Sequence, residues 1–170
     1  MNHQLHELFR HNAWANAQTV ARCKELDDAA LNATAAGVYG SIIDTLRHLI
    51  DSEMGYLFRV SGLWPKRPWE YDEAASLGLL AERAALLATT WEAYLAADID
   101  SERLGEARGD EGEVFAVPAS IFITQALHHG NEHRAQICTI LGANGLGDLD
   151  VSVWEYGFQT GRTWLKEPVS

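Results

Sequence analysis

Two histidines on one predicted helix have the spacing of a metal-binding pair. In the segment HHGNEH, His129 and His133 are one helical turn apart, so both imidazoles lie on one face and can reach the same metal ion. His128 lies about 100° round the helix from His129 and is expected to face water. The zinc-protease motif needs a glutamate directly after the first histidine, and Gly130 stands there instead. Protease chemistry of that type is therefore excluded.

A third histidine, His48, lies in the middle of another predicted helix, in the segment TLRHLIDSE. Three neutral imidazoles would leave a metal ion an open position for water or substrate, as in catalytic sites. The helical pattern places His48 on the polar face, near Asp44 and Asp51, and taken alone this favours a solvated residue. If His48 is a ligand, the site must be a polar cleft at the edge of the fold. Periodicity leaves both alternatives open.

Other polar side chains near these histidines have simpler interpretations. Asp44 could orient the ring of His48, but a favourable charge at the helix N-terminus is the preferred interpretation. Structural hydrogen bonds are expected for Arg134 and Gln136. The histidines expected to be solvated on the first predicted helix are His3, His6 and His11.

The loop 61–71 and the end of the helix before it contain the remaining candidates for a binding pocket. Trp64 and Trp69 could line such a pocket. The basic residues suited to a substrate carboxylate are Arg59, Lys66 and Arg67.

Four long amphipathic segments must position these residues. The predicted long helices cover residues 2–26, 41–60, 72–97 and a stretch from just after Pro118 to about Leu141. Ser41 is suited to cap the second of them, and Gly142 and Gly145 are expected to end the fourth. Residues 99–117 contain a turn signal and a short apolar run, which predicts either a small hairpin or an extended loop.

These elements predict an all-α fold. The tail around Trp154 is expected to form a short extra helix that packs across the long ones. Four amphipathic helices with little strand signal predict a four-helix bundle, and residues 1–170 are expected to form one domain because no linker or repeat divides them.

Composition narrows the possible partners. The chain has 170 residues and a net charge of −11, which argues against a nucleic-acid partner and against an anionic membrane surface. The N-terminus lacks the pattern of a signal peptide, so a cytoplasmic location is expected. Cys23 and Cys138 lie in helical patterns and are expected to be buried thiols.

Three segments together resemble the DinB-like superfamily. The segment GSIIDTLRHLIDSE, with Pro65 following it, is similar to the second-helix signature of that family. The segment VPASIFITQALHHGNEHRAQI is similar to the fourth-helix signature, and HNAWANAQTV resembles the first helix, with Trp14–Asn16 in the usual place. The resemblance covers nearly the whole chain in the right order. Ala135 stands where many relatives carry glycine after the arginine, a change that is not expected to disturb the site.

The resemblance implies a four-helix bundle that holds one divalent metal ion with His48, His129 and His133. Imidazole ligands suit zinc, nickel or iron, with zinc or nickel preferred. The family includes thiol-dependent transferases and isomerases as well as hydrolases. The expected function is therefore that of a metal-dependent enzyme with a small-molecule substrate, in a homodimer. It is either a transferase or isomerase that uses a low-molecular-weight thiol as cosubstrate, which is slightly preferred, or a hydrolase.

Two alternatives are compatible with the same residues. One is a non-catalytic metal-binding stress or interaction protein, which would bind metal without turnover. The other is a bundle whose histidines bind no metal.

Overall fold

The computed structural model describes residues 3–61, 74–109 and 111–166, which contain six helices and one hairpin. In chain order the elements are α1 (His3–Lys24), α2 (Asp28–Leu31), α3 (Ile42–Ser61), α4 (Leu77–Ala96), β1 (Leu104–Arg108), β2 (Val114–Pro118), α5 (Ala119–Ala143) and α6 (Val153–Gln159). The long helices α1, α3, α4 and α5 pack together, which confirms the predicted all-α four-helix fold. Within the described residues, no helix combines the length and apolar character needed to cross a bilayer.

Side-chain caps define where the central helices begin. Ser41 accepts a hydrogen bond from the Asp44 backbone N–H, and α3 starts one residue later, as the sequence predicts. Helix α4 starts at Leu77 because Ser76 caps it, accepting from the Leu79 backbone N–H. The sequence predicts that this helix starts at residue 72, but residues 74–76 are not helical, so the prediction is wrong there. Residues 72 and 73 lie outside the described residues.

Two helix ends differ from their predictions for local reasons. Helix α1 ends at Lys24, and Asp27 then caps the unforeseen single turn α2 by accepting from the Ala30 backbone N–H at 2.8 Å. Helix α5 continues to Ala143, so Gly142 lies inside it and does not end it. Gly145, with φ +65°, follows the helix end in the left-handed conformation that glycine favours.

The segment between α4 and α5 forms the hairpin that the sequence offered as one of two alternatives. Strands β1 and β2 are antiparallel, with Leu104 opposite Pro118 and Arg108 opposite Val114. Gly112, with φ +90°, supplies the positive φ that the turn requires. The predicted tail helix is α6, and it is tied to α1 by a hydrogen bond from the Tyr156 hydroxyl to Glu7 at 2.9 Å.

The apolar stripe of α3 lies at the centre of the bundle. Five apolar residues of α3 are completely buried, with 0% of their surface exposed: Ile42, Leu46, Leu49, Ile50 and Leu57. Burying one such side chain contributes about 1.5–3 kcal/mol relative to leaving it in water. The stripe therefore forms part of the core and is not available as a dimer interface. The expected homodimer remains a prediction. Helices α3 and α5 run antiparallel, because His48 lies beside His133 while Arg59 lies over Phe122.

The prediction that all three histidines of the first helix are solvated is wrong for His6 and His11. Both are buried, and only His3 is exposed. His6 Nε2 donates to the Leu95 carbonyl at 3.0 Å, and His11 Nε2 donates to the Val151 carbonyl at 2.9 Å. Both histidines lie on the polar face of the isolated helix, where solvent would reach them. In the folded chain the end of α4 covers His6, and the segment before α6 covers His11.

The two cysteines are free thiols, and the burial expected of both is found for Cys23 but is only partial for Cys138. Cys23 is fully buried, and burial raises its pKa to about 12. Cys138 is half-buried, and burial also raises the pKa of its thiol. Both thiols therefore stay protonated and weakly reactive at neutral pH.

One glycine of α5 marks a close approach between helices. A Cβ atom built on Gly130 would lie 2.8 Å from Asn12 Oδ1 of α1 and 3.0 Å from Arg134 Nη1. Both neighbours are buried and hydrogen-bonded to each other, so they have little freedom to move away. The absence of a side chain at residue 130 is therefore what allows α1 to pack this closely on α5.

We expect Gly130→Ala to destabilise the protein by about 1–3 kcal/mol, because the added methyl group overpacks the contact with Asn12. Gly142→Ala in the same helix is the matched control, since a Cβ there meets nothing within 4 Å. The control should gain up to about 1 kcal/mol from the higher helix propensity of alanine. Thermal unfolding of both variants measures the difference, and equal stabilisation of the two would contradict the close approach.

Candidate metal centre

Three histidines from two helices converge between α3 and α5. His48 comes from α3, and His129 and His133 come from successive turns of α5. One nitrogen of each ring can be chosen so that all three lie within 4.8 Å of one another. His48 Nε2 and His129 Nε2 are 3.1 Å apart. The structure thus brings together all three residues that the sequence singled out as metal ligands.

The cluster lies at the edge of the bundle, not at its centre. His129 and His133 are buried, whereas His48 is half-buried. The position of His48 on the polar face of α3 directs its ring toward α5 at the rim, where water still reaches it. This rim position is the one that the sequence requires if His48 is a ligand.

Gln136 fixes the tautomer of His133. Its side-chain oxygen Oε1 lies 3.2 Å from the Tyr39 backbone nitrogen, which can only donate, so the oxygen orientation of the amide is required. The same oxygen lies 2.9 Å from His133 Nδ1. Because an amide oxygen only accepts, Nδ1 carries the proton and Nε2 keeps its lone pair. Gln136 therefore makes the structural hydrogen bonds expected of it, and one of them orients the ring of His133.

Two tyrosines flank the cluster, and sequence reasoning identified neither. The ring of Tyr39 stacks on His48, with 4.2 Å between centroids and 15° between planes, and meets His133 edge-on at 5.4 Å. Tyr39 belongs to the loop before α3 and is 52% exposed. Tyr56 meets His129 edge-on at 5.6 Å. Their contacts arise from tertiary packing, and no local pattern in the sequence signals them.

The environment keeps two of the imidazoles neutral. Burial lowers the pKa of His48, and repulsion from His133 adds to the effect. Burial, followed by the neighbouring histidines, lowers the pKa of His129 to about 3. Protonating His129 would also bury a second N–H, and its Nδ1 has no hydrogen-bond partner in the described part of the chain. Neutral imidazole is the form that binds metal ions.

The donor set fits a divalent transition metal. Around a tetrahedral zinc ion with bonds of about 2.0–2.1 Å, ligand nitrogens lie about 3.3 Å apart. The closest pair here is at 3.1 Å and the whole group lies within 4.8 Å, so small side-chain rotations close the triangle. Among the described residues, no cysteine, acidic residue or further histidine joins the group. Such a set would leave room for an exogenous ligand.

The neighbouring candidates lie apart from the cluster. Asp44 accepts from the Ser41 hydroxyl at 2.6 Å and lies 3.7 Å from Arg47, which agrees with its preferred role at the start of α3. The His128 side chain is 75% exposed and faces Glu132, as expected.

Of the residues predicted to line a binding pocket at the end of α3 and in the loop 61–71, only Arg59 is among the described residues. Arg59 donates to the carbonyl groups of Gly55 and Glu106, which ties α3 to the hairpin. The remaining pocket candidates lie outside the described residues, and they are Trp64, Lys66, Arg67 and Trp69.

Together, the fold and the site define a helical bundle with a three-histidine cluster between two of its long helices. A model of the DinB family matches residues 1–158, and the chain belongs to that family. The chain is 22% identical over 161 residues to Protein DinB of Bacillus subtilis (strain 168), covering 91% of this chain and 94% of that protein.

A solved structure shares the fold. The crystal structure of a DinB-like protein from Bacillus cereus ATCC 10987 superposes with a TM-score of 0.56 at 19% sequence identity. The match covers 81% of this chain and 91% of the other. At this identity the likeness shows the common fold.

The role of Gln136 leads to a prediction for the metal-free protein. In Gln136→Met the oxygen that accepts from His133 Nδ1 is lost, so we expect His133 to lose its preference for the Nδ1-protonated tautomer. Side-chain ¹⁵N chemical shifts of the histidines measure this directly. The matched control is Gln125→Met, an exposed site on the same helix, which should leave the His133 signals unchanged. An unchanged tautomer in Gln136→Met would refute the assignment.

Proposed function

We propose that His48, His129 and His133 bind one divalent transition metal ion and that the protein is a metal-dependent enzyme. The observation that carries this proposal is the convergence of three imidazole nitrogens within 4.8 Å at a rim that water reaches. Membership of the DinB family agrees with it. A set of three neutral imidazoles favours zinc or nickel, with iron as the next candidate.

The side chains around the cluster have defined tasks in this proposal. The three histidines hold the ion, and Gln136 keeps the His133 proton on Nδ1, away from the coordinating nitrogen. Tyr39 covers one face of His48 and restricts rotation of its ring. When bound, a divalent ion at such a site lowers the pKa of a coordinated water or thiol and polarises a bound carbonyl group.

The substrate class we favour is a low-molecular-weight thiol that attacks a small electrophile. The resemblance to thiol-dependent transferases and isomerases suggests it, and an open site with only imidazole ligands suits a thiolate. Water in place of the thiol would make the protein a hydrolase, so the same centre serves both reaction types. The expected cytoplasmic location and homodimer remain predictions of the sequence.

A non-catalytic metal-binding protein is the second candidate. It is favoured by the partial exposure of His48, because a ligand that water reaches suits an ion that exchanges easily. Such a protein would bind one metal ion but would not consume thiol.

Metal content tests the site itself. We expect protein purified without an affinity tag to contain about one equivalent of zinc or nickel by elemental analysis, and His133→Ala to lose it. His128→Ala is the matched control: it removes an exposed imidazole from the same helix and should retain the metal. Metal-free wild-type protein that is not stabilised by added zinc or nickel would contradict the proposal.

Turnover separates the enzyme from the binder. Cysteine and chlorodinitrobenzene serve as probes: a carbon–sulfur bond forms, chloride leaves and the thiol proton passes to the buffer. An enzyme of the favoured class should accelerate this reaction with metal bound and lose the acceleration in His133→Ala. Stoichiometric metal without acceleration, for this and for related thiols and electrophiles, would support the binder.

A further inference from the structure

A group of buried polar side chains joins α1, α3 and α5 beside the histidine cluster. Glu53 of α3 accepts hydrogen bonds from the side-chain amides of Asn12 (2.9 Å) and Asn16 (2.8 Å) of α1. The oxygens of these amides accept from Arg134 Nη1 of α5, at 2.8 and 2.6 Å. Each of the four side chains exposes 2% or less of its surface. We call these four residues the buried polar network.

The network permits one arrangement of its members. A carboxylate only accepts hydrogen bonds and a guanidinium only donates them, so both amides must turn their nitrogen toward Glu53 and their oxygen toward Arg134. Arg134 also donates to Asn131 on its own helix at 2.7 Å. Turning α3 or α5 about its axis would break hydrogen bonds to a buried charge, which is strongly unfavourable. The network therefore sets the rotation of both helices against α1.

The same helix rotations aim the three imidazoles. Arg134 directly follows His133, and Glu53 follows His48 by five residues, all within continuous helix. Rotating a helix by about 10° moves an atom about 6 Å from its axis by about 1 Å. Metal–ligand distances are held within about 0.2 Å. A helix rotation of this size would add several times that tolerance to the adjustments that the three side chains must already make to reach one ion, and it would weaken metal binding.

We propose that Asn12, Asn16, Glu53 and Arg134 are positioning residues that orient α3 and α5 so that their three histidines meet at one metal ion. The inference rests on the proposed metal centre. The four residues act through the helices that carry the ligands, without touching the ion. Gly130 contributes by letting Asn12 reach the surface of α5.

Zinc affinity at matched stability tests this role. Glu53→Gln keeps the size of the side chain but turns an amide N–H₂ group toward an asparagine donor and removes the charge that faces Arg134. The control is Arg83→Met, which breaks the buried ion pair of Arg83 with Asp51 (2.7 Å) between α4 and α3, without involving α5. Both variants should lower the melting temperature. Only Glu53→Gln should weaken zinc binding, by about tenfold or more, as loss of outer-sphere support typically does.

Titration of the folded variants with zinc against a chromogenic chelator measures the affinities. A purely structural role would weaken binding only in proportion to the unfolded fraction, so equal zinc affinity in Glu53→Gln and Arg83→Met would overturn the proposal. Arg134→Lys is the second variant should Glu53→Gln not fold. It keeps the positive charge but loses the rigid guanidinium, whose Nη1 donates to Asn12 and Asn16 while Nη2 donates to Asn131, and the same loss of affinity is expected.

Histidine side-chain ¹⁵N spectra of the metal-free proteins separate this proposal from the proposed function. If wild-type protein binds no zinc, the metal centre fails, and the positioning role fails with it. If wild type binds zinc, Glu53→Gln should shift the His129 and His133 signals relative to wild type, whereas Arg83→Met should not. If wild type binds zinc but Glu53→Gln shows unshifted histidine signals and unchanged zinc affinity, the positioning role is wrong and the metal centre is still supported.

Discussion

Helix α5 must bury a cation and two imidazole rings at the same time, and the arrangement of the bundle around it follows from this constraint. Arg134 is almost fully enclosed, and its charge is balanced by Glu53 through two asparagine amides. Removing one partner of a buried charged group costs about 3–5 kcal/mol, a large part of the roughly 5–15 kcal/mol that stabilises a typical domain. The partners of Arg134 lie on α1 and α3, and α3 also carries His48 to the histidine pair on α5.

The histidine cluster combines a fixed inner side with an accessible outer side. On the inner side, His133 is held by Gln136, whose oxygen is itself fixed by the backbone of Tyr39. On the outer side, His48 is half-buried and lies against the exposed ring of Tyr39. A small molecule approaching the cluster from solvent would therefore meet Tyr39 and His48 first, so the loop before α3 is the part of the described chain best placed to control access to the cluster.

Helical periodicity and capping residues predict most of the fold because both are local properties. For the same reason, the spacing of the α5 pair predicts two of the three clustered histidines. Periodicity could not select His48, since a polar position at the rim of a bundle looks like a solvated one; the resemblance to the DinB family selected it. His11 was predicted wrongly because the tail covers it. The structural hydrogen bonds expected of Arg134 are present, but Glu53 resembles a surface residue, and its link to Arg134 through two asparagines appears only when three helices are assembled.

The most direct test of the central claim is an anomalous difference map from crystals of the protein grown with zinc. We expect one strong peak per chain between α3 and α5, about 2.0–2.1 Å from one nitrogen of each of His48, His129 and His133. A map with no peak at the cluster, or with zinc bound only elsewhere on the acidic surface, would contradict it.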